Sequence, residues 1–419
     1  MTMQWSSFGE RFTRNTGSLE LMEDLGEALT AESSALFLGG GNPGKIPEIQ
    51  ERIQARLAAI AADAEVADRL LGNYAHPKGE LRFRQALARL LGREYGWQLT
   101  AENIALTGGS QAGFFLLFNL LAGMFPDGSR KRVLLPVTPE YIGYADQGLS
   151  ESLFVARQPR IEERADHLFK YRIDLDGLTV TDDIGAICVS RPTNPTGNVI
   201  TDAELAALDE LARAADVPFI IDNAYGQPFP GIVFVDAEPI WNENVILCMS
   251  LSKLGLPGVR TGIVVAREEI VDALMRMTAV MSLAVGSVGP VLVEDIVESG
   301  EIIEWSRNFI TPFYREKAEF AVNVLKHELE GLPFRIHVAE GAFFLWLWLP
   351  GLPITSAELY ERLKQDDVFV ISGHHFFPGL ETDWPHRNEC LRISFAQSET
   401  VVADGMRMIA AEVRGAFEN

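Results

Sequence analysis

The sequence predicts an α/β protein with a mostly parallel central sheet and a smaller α+β domain. Through the middle of the chain, apolar runs that end in polar residues alternate with segments of helical periodicity. This order is typical of strands joined by helical crossovers, which build parallel sheets. After Gly300 the pattern changes to one long helical segment followed by strand-like runs, which indicates a second structural unit.

The larger unit is predicted from helices and buried strands in alternation. The apolar spacing predicts an amphipathic helix over residues 80–93 and a buried helix over 113–124. Short apolar runs predict buried strands at residues 132–136, 184–190, 218–222 and 245–250. A helix over 202–215 is predicted by Thr201 as its N-cap and by Glu204 three residues later.

The smaller unit is expected to combine both ends of the chain. Residues 301–329 are predicted to form one long helix with a break near Pro312. Three apolar runs predict strands at residues 334–338, 341–349 and 391–395. We assign residues 1–60 to this smaller domain, residues 61–300 to the large domain, and residues 301–419 to the C-terminal part of the small domain.

Composition and charge argue against several classes of protein. The net charge of −22 argues against general binding to nucleic-acid backbones. The three cysteines, Cys188, Cys248 and Cys390, form no paired framework, which indicates a reducing compartment. The N-terminus lacks the apolar core of a signal peptide, and the longest apolar run, 114–125, is too short to span a bilayer. We therefore expect a cytoplasmic protein that binds neither nucleic acid nor membrane.

The segment over residues 250–262 carries the most specific chemistry. Lys253 follows Ser250 and Ser252 in a glycine-rich stretch, and Arg260 comes seven positions later. A lysine amine can form a Schiff base with an aldehyde, while hydroxyls and a guanidinium can hold a phosphate. Pyridoxal 5′-phosphate is an aldehyde that carries a phosphate, so it would use both kinds of group. The alternative is a strand end and loop with a solvated lysine.

Asp222 ends one predicted strand and Asn194 lies just past another. Each is one crossover unit away from the next group along the chain. Parallel strands would bring them and Lys253 to one edge of the sheet, where ligands bind in such folds. A buried carboxylate such as that of Asp222 needs a partner, which a protonated pyridine nitrogen could be. The alternatives need no ligand: Asp222 could cap a helix or form a salt bridge, and Asn194 could belong to a rigid turn.

A candidate anion site lies at Ser110 and Gln111. They follow Gly108-Gly109 between a predicted strand and a predicted helix. Backbone N–H groups at a helix start can bind a phosphate together with a serine hydroxyl. The alternative is an ordinary strand–helix turn.

Six segments together resemble the class I and II aminotransferases, which are fold-type I enzymes dependent on pyridoxal 5′-phosphate, and more narrowly the valine–pyruvate aminotransferase subgroup. The resemblance covers nearly the whole chain in order and rests on residues 39–43, 139–144, 191–202, 222–226, 249–258 and 376–380. It implies a fold-type I transferase in which pyridoxal 5′-phosphate is the cofactor.

The resemblance implies a role for each matching residue. Lys253 would form the Schiff base and move the proton between substrate Cα and cofactor C4′. Asp222 would pair with the pyridine nitrogen. The remaining roles concern cofactor binding and substrate binding. Asn194 and Tyr225 match groups bonded to the ring's phenolic oxygen, and Tyr141 matches the aromatic residue that stacks on the ring. The phosphate cradle is matched by Ser110, Gln111, Ser250, Ser252 and Arg260. The substrate site is matched by Arg392, Gly41 and Asn194, and Tyr74 matches a tyrosine that reaches the phosphate of the neighbouring subunit.

The implied function is transamination of L-valine and pyruvate to 3-methyl-2-oxobutanoate and L-alanine by a homodimer with shared active sites. Three alternatives remain open on the residues alone: a β-eliminating lyase of the same fold, an aminotransferase with another neutral donor, and a ligand sensor without activity. No spaced partner ligands accompany His374 and His375, so no metal site is predicted there.

Overall fold

The computed structural model describes residues 3–17, 19–20, 22–23, 26 and 35–418. Its strands, in chain order, are β1 Leu36–Phe37, β2 Ile104–Thr107, β3 Gly123–Met124, β4 Arg130–Leu135, β5 Phe154–Ala156, β6 Arg160–Glu163, β7 Leu168–Arg172, β8 Ile184–Ser190, β9 Phe219–Asp222, β10 Val245–Ser250, β11 Gly262–Val265, β12 Arg335–His337, β13 Phe344–Trp348, β14 Val368–Phe369, β15 Ile371–Ser372 and β16 Cys390–Ser394. Among the described residues, the α-helices are α1 Ser7–Phe12, α2 Pro47–Ala62, α3 Ala64–Leu71, α4 Leu81–Tyr95, α5 Ser110–Leu121, α6 Asp202–Ala214, α7 Glu268–Ser282, α8 Val288–Ser299, α9 Glu301–Trp305, α10 Thr311–Glu328, α11 Ser356–Gln365 and α12 Glu399–Glu418.

A large mixed sheet forms the centre of the fold, in the order β2-β11-β10-β9-β8-β4, with β3 and β5 beside β4. The pairs from β10 through β9 and β8 to β4 are parallel, and β11 is antiparallel to both of its neighbours. Every residue of β8, β9 and β10 is buried. Continuous apolar strands of this kind need cover on both faces of the sheet, which confirms the predicted parallel centre.

The second sheet has six strands in the order β15-β16-β13-β12-β7-β6. Its β6–β7 hairpin comes from the middle of the chain, and β7 pairs in parallel with β12. The hairpin lies within residues 61–300, which the sequence analysis placed in the large domain, so sheet membership crosses that boundary. No local pattern could indicate this pairing, because the two strands are far apart in sequence.

The N-terminal segment also pairs with the C-terminal part of the chain, because β1 lies parallel to β14. Ser394 N–H on β16 donates to Leu38 O at 2.7 Å, which extends the connection. These contacts place residues just before Gly41 beside the second sheet. The predicted domain boundaries themselves stay a prediction.

Most predicted elements have their expected type and differ by a few residues at their ends. The capping box of α6 is present, since the Thr201 side chain accepts Glu204 N–H and the Glu204 side chain accepts Thr201 N–H. The long C-terminal helix is interrupted by a π-helical turn at Ser306–Ile310, directly before Pro312. In the described part of the chain, no helix is both long and apolar enough to cross a membrane.

Candidate active site

A cavity opens at the carboxyl ends of β8, β9 and β10, where the topology of a parallel sheet places ligands. The space between its walls, including the solvent-open mouth, is about 760 Å³. Its lining residues are Gly41, Ser110, Gln111, Phe114, Tyr141, Ser190, Pro192, Asn194, Asp222, Ala224, Tyr225, Ser250, Ser252, Lys253, Arg260 and Arg392. The structure thus brings together every residue predicted for cofactor or substrate binding except Tyr74.

Lys253 enters the cavity from a 3₁₀ turn, Ser252–Leu254, that directly follows β10. Its Nζ donates to Gly41 O at 2.7 Å and lies 5.5 Å from the ring centres of Tyr225 and Phe343. Burial, assisted by the positive charge of Arg392, lowers the pKa of Lys253 to about 8. An amine with this pKa is partly unprotonated near neutral pH, which makes it available as a nucleophile and base.

Asp222 ends β9 and is nearly fully buried. Its Oδ2 accepts a hydrogen bond from Tyr144 Oη at 2.7 Å, and its Oδ1 accepts one from Ala224 N–H at 3.0 Å. Burial raises the pKa of Asp222 to about 6, although both hydrogen bonds oppose the shift. The carboxylate therefore faces the cavity in its ionised form at neutral pH and can accept a proton donor there.

An anion cradle is formed where the start of α5 meets the loop after β10. The N-cap of α5 is Gly109, with φ of +95° and no side-chain cap, so the first N–H groups of the helix have no side-chain partner there. A Cβ at Gly109 would collide with Nη2 of Arg260. Ser250 Oγ accepts Ser252 N–H at 3.0 Å. Helix N–H groups, two hydroxyls and a guanidinium suit a phosphate.

Arg392 lies on β16 and is almost completely buried. Its Nη1 donates to Asn194 Oδ1 at 2.7 Å, and its Nη2 donates to Gly39 O at 2.5 Å. The guanidinium carbon lies 4.2 Å from the ring centre of Phe344 and 5.2 Å from that of Phe376. Burial lowers the pKa of Arg392 to about 10, and no carboxylate of the described residues raises it. Arg392 is therefore a desolvated cation without a carboxylate partner among the described residues, and the carboxylate of a substrate could be that partner.

Tyr141, Tyr225 and Gln111 complete the walls. Burial raises the pKa of both tyrosines, so both hydroxyls are protonated at neutral pH. The Tyr141 ring contacts that of Tyr144 edge-on, with ring centres 5.4 Å apart. Gln111 Nε2 donates to Gly143 O at 3.1 Å, while its buried Oε1 has no hydrogen-bond partner among the residues that the structure describes. That oxygen is free to accept a hydrogen bond in the cavity.

Three predicted or discussed residues lie elsewhere. Tyr74 is 87% exposed, and its predicted contact with a neighbouring subunit stays a prediction. His374 Nδ1 lies 2.7 Å from Ser372 Oγ, and the rings of His374 and His375 are 3.8 Å apart. Neither histidine lines the cavity. Within the described ranges, no group of three or more metal-ligating side chains is present.

Several residues that contact the lining of the cavity were not predicted from the sequence. Tyr144 holds Asp222, Gly39 O accepts from Arg392, and Glu140 contacts Ser190. Glu140 and Tyr144 lie within the 139–144 segment that carried part of the family resemblance, so a signal was present. The segment alone could not indicate their roles, because their partners Ser190 and Asp222 are distant in sequence and come close only when the sheet forms.

Known proteins that resemble this chain over most of its length are aminotransferases. The family "Aminotransferase class I and II" matches residues 46–407. The chain is 46% identical over 415 residues to a valine–pyruvate aminotransferase of Escherichia coli, covering 99% of each protein.

Two solved structures are similarly close. One is a putative amino-acid aminotransferase from Psychrobacter arcticum, with 45% identity, a TM-score of 0.97 and full coverage of both chains. The other is a valine–pyruvate aminotransferase from Salmonella typhimurium, with 44% identity and a TM-score of 0.89, covering 96% of this chain and all of that one. With a lysine, an aspartate and a buried arginine in one cavity of an aminotransferase fold, the chain belongs to the class I and II aminotransferases.

Proposed function

We propose that this protein catalyses the reversible transamination of L-valine and pyruvate to 3-methyl-2-oxobutanoate and L-alanine, with pyridoxal 5′-phosphate as cofactor. The observation that carries the proposal is the convergence of Lys253, Asp222 and Arg392 in one cavity. The full-length relationship to a valine–pyruvate aminotransferase supports the choice of substrates.

The cavity fits the cofactor on the evidence of its unpaired polar groups. Gln111 Oε1 is buried without a partner, and Asp222 accepts hydrogen bonds but has no cation bonded to it among the described residues. A buried acceptor without a donor is costly, and so is a buried carboxylate without a cation, so the cavity favours a ligand that supplies a protonated, positively charged donor to Asp222. The cradle of Ser110, Ser250 and Arg260 lies at the same cavity and offers donors to a phosphate.

Each wall of the cavity has a distinct part in holding the cofactor. Asp222 would accept the pyridinium N–H, Asn194 and Tyr225 would bond the phenolic oxygen, and Tyr141 would lie against the ring face. The phosphate would be held by the hydroxyls of Ser110, Ser250 and Ser252 and by the Arg260 guanidinium. Gln111 would contribute its backbone N–H at the start of α5, because its side-chain N–H already donates to Gly143 O. When bound, pyridoxal 5′-phosphate supplies an aldehyde for the amino group and an electron-accepting ring.

Lys253 is the proposed base. With its pKa lowered to about 8, Nζ can take up the Cα proton of the amino acid without holding it permanently. The Gly41 carbonyl, 2.7 Å away, fixes Nζ at the floor of the cavity. A Cβ at Gly41 would lie 3.6 Å from Nζ, so glycine keeps the space beside the amine open.

Arg392 is the proposed anchor for the α-carboxylate. Its two hydrogen bonds, to Asn194 and to Gly39, fix the plane of the guanidinium before substrate binds. A planar guanidinium can bind a carboxylate through two parallel hydrogen bonds, which a lysine cannot do. Holding the carboxylate orients the Cα–H bond toward Lys253.

The charges of the cavity favour a neutral side chain on the donor. Four of its lining side chains can carry a charge at neutral pH: Asp222, Lys253, Arg260 and Arg392. Each has a part in the scheme above, so none is left to bind an acidic or basic substrate side chain. Discrimination among neutral donors depends on pocket shape, where one methylene contributes about 1–3 kcal/mol.

A cytoplasmic homodimer with shared active sites belongs to the same proposal. Large apolar side chains are exposed at Leu71, Val280 and Leu283, with 77%, 88% and 65% of their surface accessible. Val280 and Leu283 lie three residues apart at the end of α7, and a contiguous exposed apolar patch is typical of interaction surfaces. Tyr74 is close to Leu71 in sequence, which agrees with a contact across such an interface. Light scattering of wild type and Val280→Glu would test the assembly.

A panel of amino donors tests the substrates. Alanine formation from pyruvate is followed with L-valine, other branched donors, aspartate and aromatic amino acids, with Lys253→Ala as the inactive control. We expect the branched aliphatic donors to react fastest. If they react no better than aspartate or aromatic donors, the valine assignment is wrong and the family assignment stands.

A single-substrate experiment separates transamination from β-elimination, which the aminotransferase relatives do not favour. Enzyme mixed with L-valine alone should yield one equivalent of 3-methyl-2-oxobutanoate per active site and no free ammonia. Valine carries no leaving group on Cβ, so the same assay is repeated with L-serine, from which β-elimination would release ammonia and pyruvate continuously and would identify a lyase.

A further inference from the structure

Four side-chain oxygens form a buried chain behind the cavity, from Glu140 through Ser190 and Tyr144 to Asp222. Glu140 Oε2 contacts Ser190 Oγ at short distance, Ser190 Oγ lies 3.3 Å from Tyr144 Oη, and Tyr144 Oη lies 2.7 Å from Asp222 Oδ2. All four residues are buried. We call these atoms the oxygen chain; a carboxyl group stands at each of its ends.

The three contacts of the oxygen chain require three protons, because a hydrogen bond between two oxygens holds one proton. The hydroxyl groups of Ser190 and Tyr144 supply one each. The third proton must therefore be carried by one of the two terminal carboxyls. If both were ionised, Ser190 and Tyr144 would each donate to a carboxylate and the 3.3 Å contact between them would hold no proton. Two negative charges would also be buried at the ends of the same chain, which is costly.

Two arrangements satisfy this count. Either Glu140 donates to Ser190, Ser190 to Tyr144 and Tyr144 to Asp222, or every bond runs in the opposite direction. They differ in which carboxyl carries the negative charge. At the Glu140 end, Oε1 accepts Ser190 N–H at 2.8 Å; at the Asp222 end, Oδ1 accepts Ala224 N–H at 3.0 Å.

The surroundings favour the charge on Asp222. Asp222 lines the cavity and is stabilised as an anion by the positive charge of Lys253, whereas Glu140 has no exposed surface and no cation beside it among the described residues. Burial, and secondarily the charge of Asp222, raise the pKa of Glu140 to about 8, above the value of about 6 for Asp222.

Apart from Lys253, the nearby titratable groups are the thiols of Cys188 and Cys248 and the Tyr141 hydroxyl, which are neutral and do not compete for the proton. Burial raises the pKa of both thiols well above their ordinary value and also raises that of Tyr141; within the chain itself, burial keeps the Tyr144 hydroxyl protonated. Tyr141 N–H contacts Glu140 Oε2 at 3.3 Å and is compatible with either form of the carboxyl.

We propose that Glu140 is a protonated carboxylic acid that acts as a positioning residue, donating along Ser190 and Tyr144 so that Asp222 keeps its negative charge toward the cavity. Its effect on the reaction rests on the proposed function, in which Asp222 meets the pyridine nitrogen. The protonation state itself does not depend on the substrate, and it can be measured without any turnover.

Infrared spectroscopy of the cofactor-loaded enzyme tests the proposal. The C=O stretch of a protonated carboxyl is resolved from that of a carboxylate, and the difference between wild type and Glu140→Gln isolates the band that depends on Glu140. Glutamine resembles the neutral acid in shape and can donate to Ser190. The exposed Glu48 provides the matched control, because Glu48→Gln should leave the band unchanged.

Residue-specific labelling then identifies the carboxyl that carries the proton. We expect a protonated-carboxyl band near neutral pH that shifts when glutamate is isotopically labelled at its side-chain carboxyl carbon, and that fades as the pH is raised through about 8. A band that shifts with labelled aspartate, or no band at all, would overturn the proposal. Because the labelled protein is otherwise wild type, a folding defect in the variant cannot imitate either result.

Discussion

The clearest test of the substrate site is the substitution Arg392→Lys. Arginine offers a planar fork that can hold Asn194, Gly39 and a substrate carboxylate at the same time, whereas an ammonium group is a point charge with three donors. Lysine would retain the positive charge and lose the second parallel hydrogen bond to the carboxylate. The substitution therefore tests the hydrogen-bond geometry of residue 392 while its positive charge is kept.

The expected magnitude follows from one lost hydrogen bond. A hydrogen bond to a charged group contributes about 1.5–3 kcal/mol. Since about 1.4 kcal/mol corresponds to a tenfold change, kcat/KM for L-valine should fall roughly 10- to 150-fold. The loss should be larger than for a surface substitution, because Arg392 is almost completely buried between two aromatic rings.

Steady-state kinetics with L-valine and pyruvate supply the measurement, and Arg387→Lys is the matched control. Arg387 lies five residues earlier and pairs with Asp383, which is 93% exposed, so its substitution should leave kcat/KM within about twofold. Thermal unfolding of both variants checks that each is folded. If folded Arg392→Lys has wild-type kcat/KM for both substrates, Arg392 does not bind the carboxylate and the proposed orientation of substrate is wrong.

Three further predictions concern the cofactor. Lys253→Ala should lose transamination and covalent retention of the cofactor under borohydride; full activity would contradict the whole scheme. The rate at which cofactor-free enzyme takes up pyridoxal 5′-phosphate should rise with pH and level off above about 8, because the neutral amine appears there; a rise that continues to the ordinary value of 10.5 would show a solvated amine. Gly109→Ala should weaken cofactor affinity about tenfold or more by equilibrium titration, since a Cβ at φ of +95° displaces Arg260; unchanged affinity would remove Arg260 from the cradle.

Local sequence predicted the central sheet well, because its strands are continuous apolar runs of a length typical of strands. β8 and β10 begin and end at the predicted residues, and the capping box of α6 is present as predicted. The ends of parallel strands share one edge of a sheet, so the predicted meeting of Asn194, Asp222 and Lys253 followed from topology alone.

The sequence by itself determined the fold class, the cavity edge and the identity of the cofactor-binding and substrate-binding candidates. Only the tertiary structure decided that β6 and β7 join the C-terminal sheet, that Arg392 is fixed by Asn194 and Gly39, and that Glu140 faces Ser190. The physical reason is the range of the interactions. Strand periodicity and helix caps depend on neighbours along the chain, whereas a buried hydrogen bond depends on which distant residues the fold brings within 3 Å.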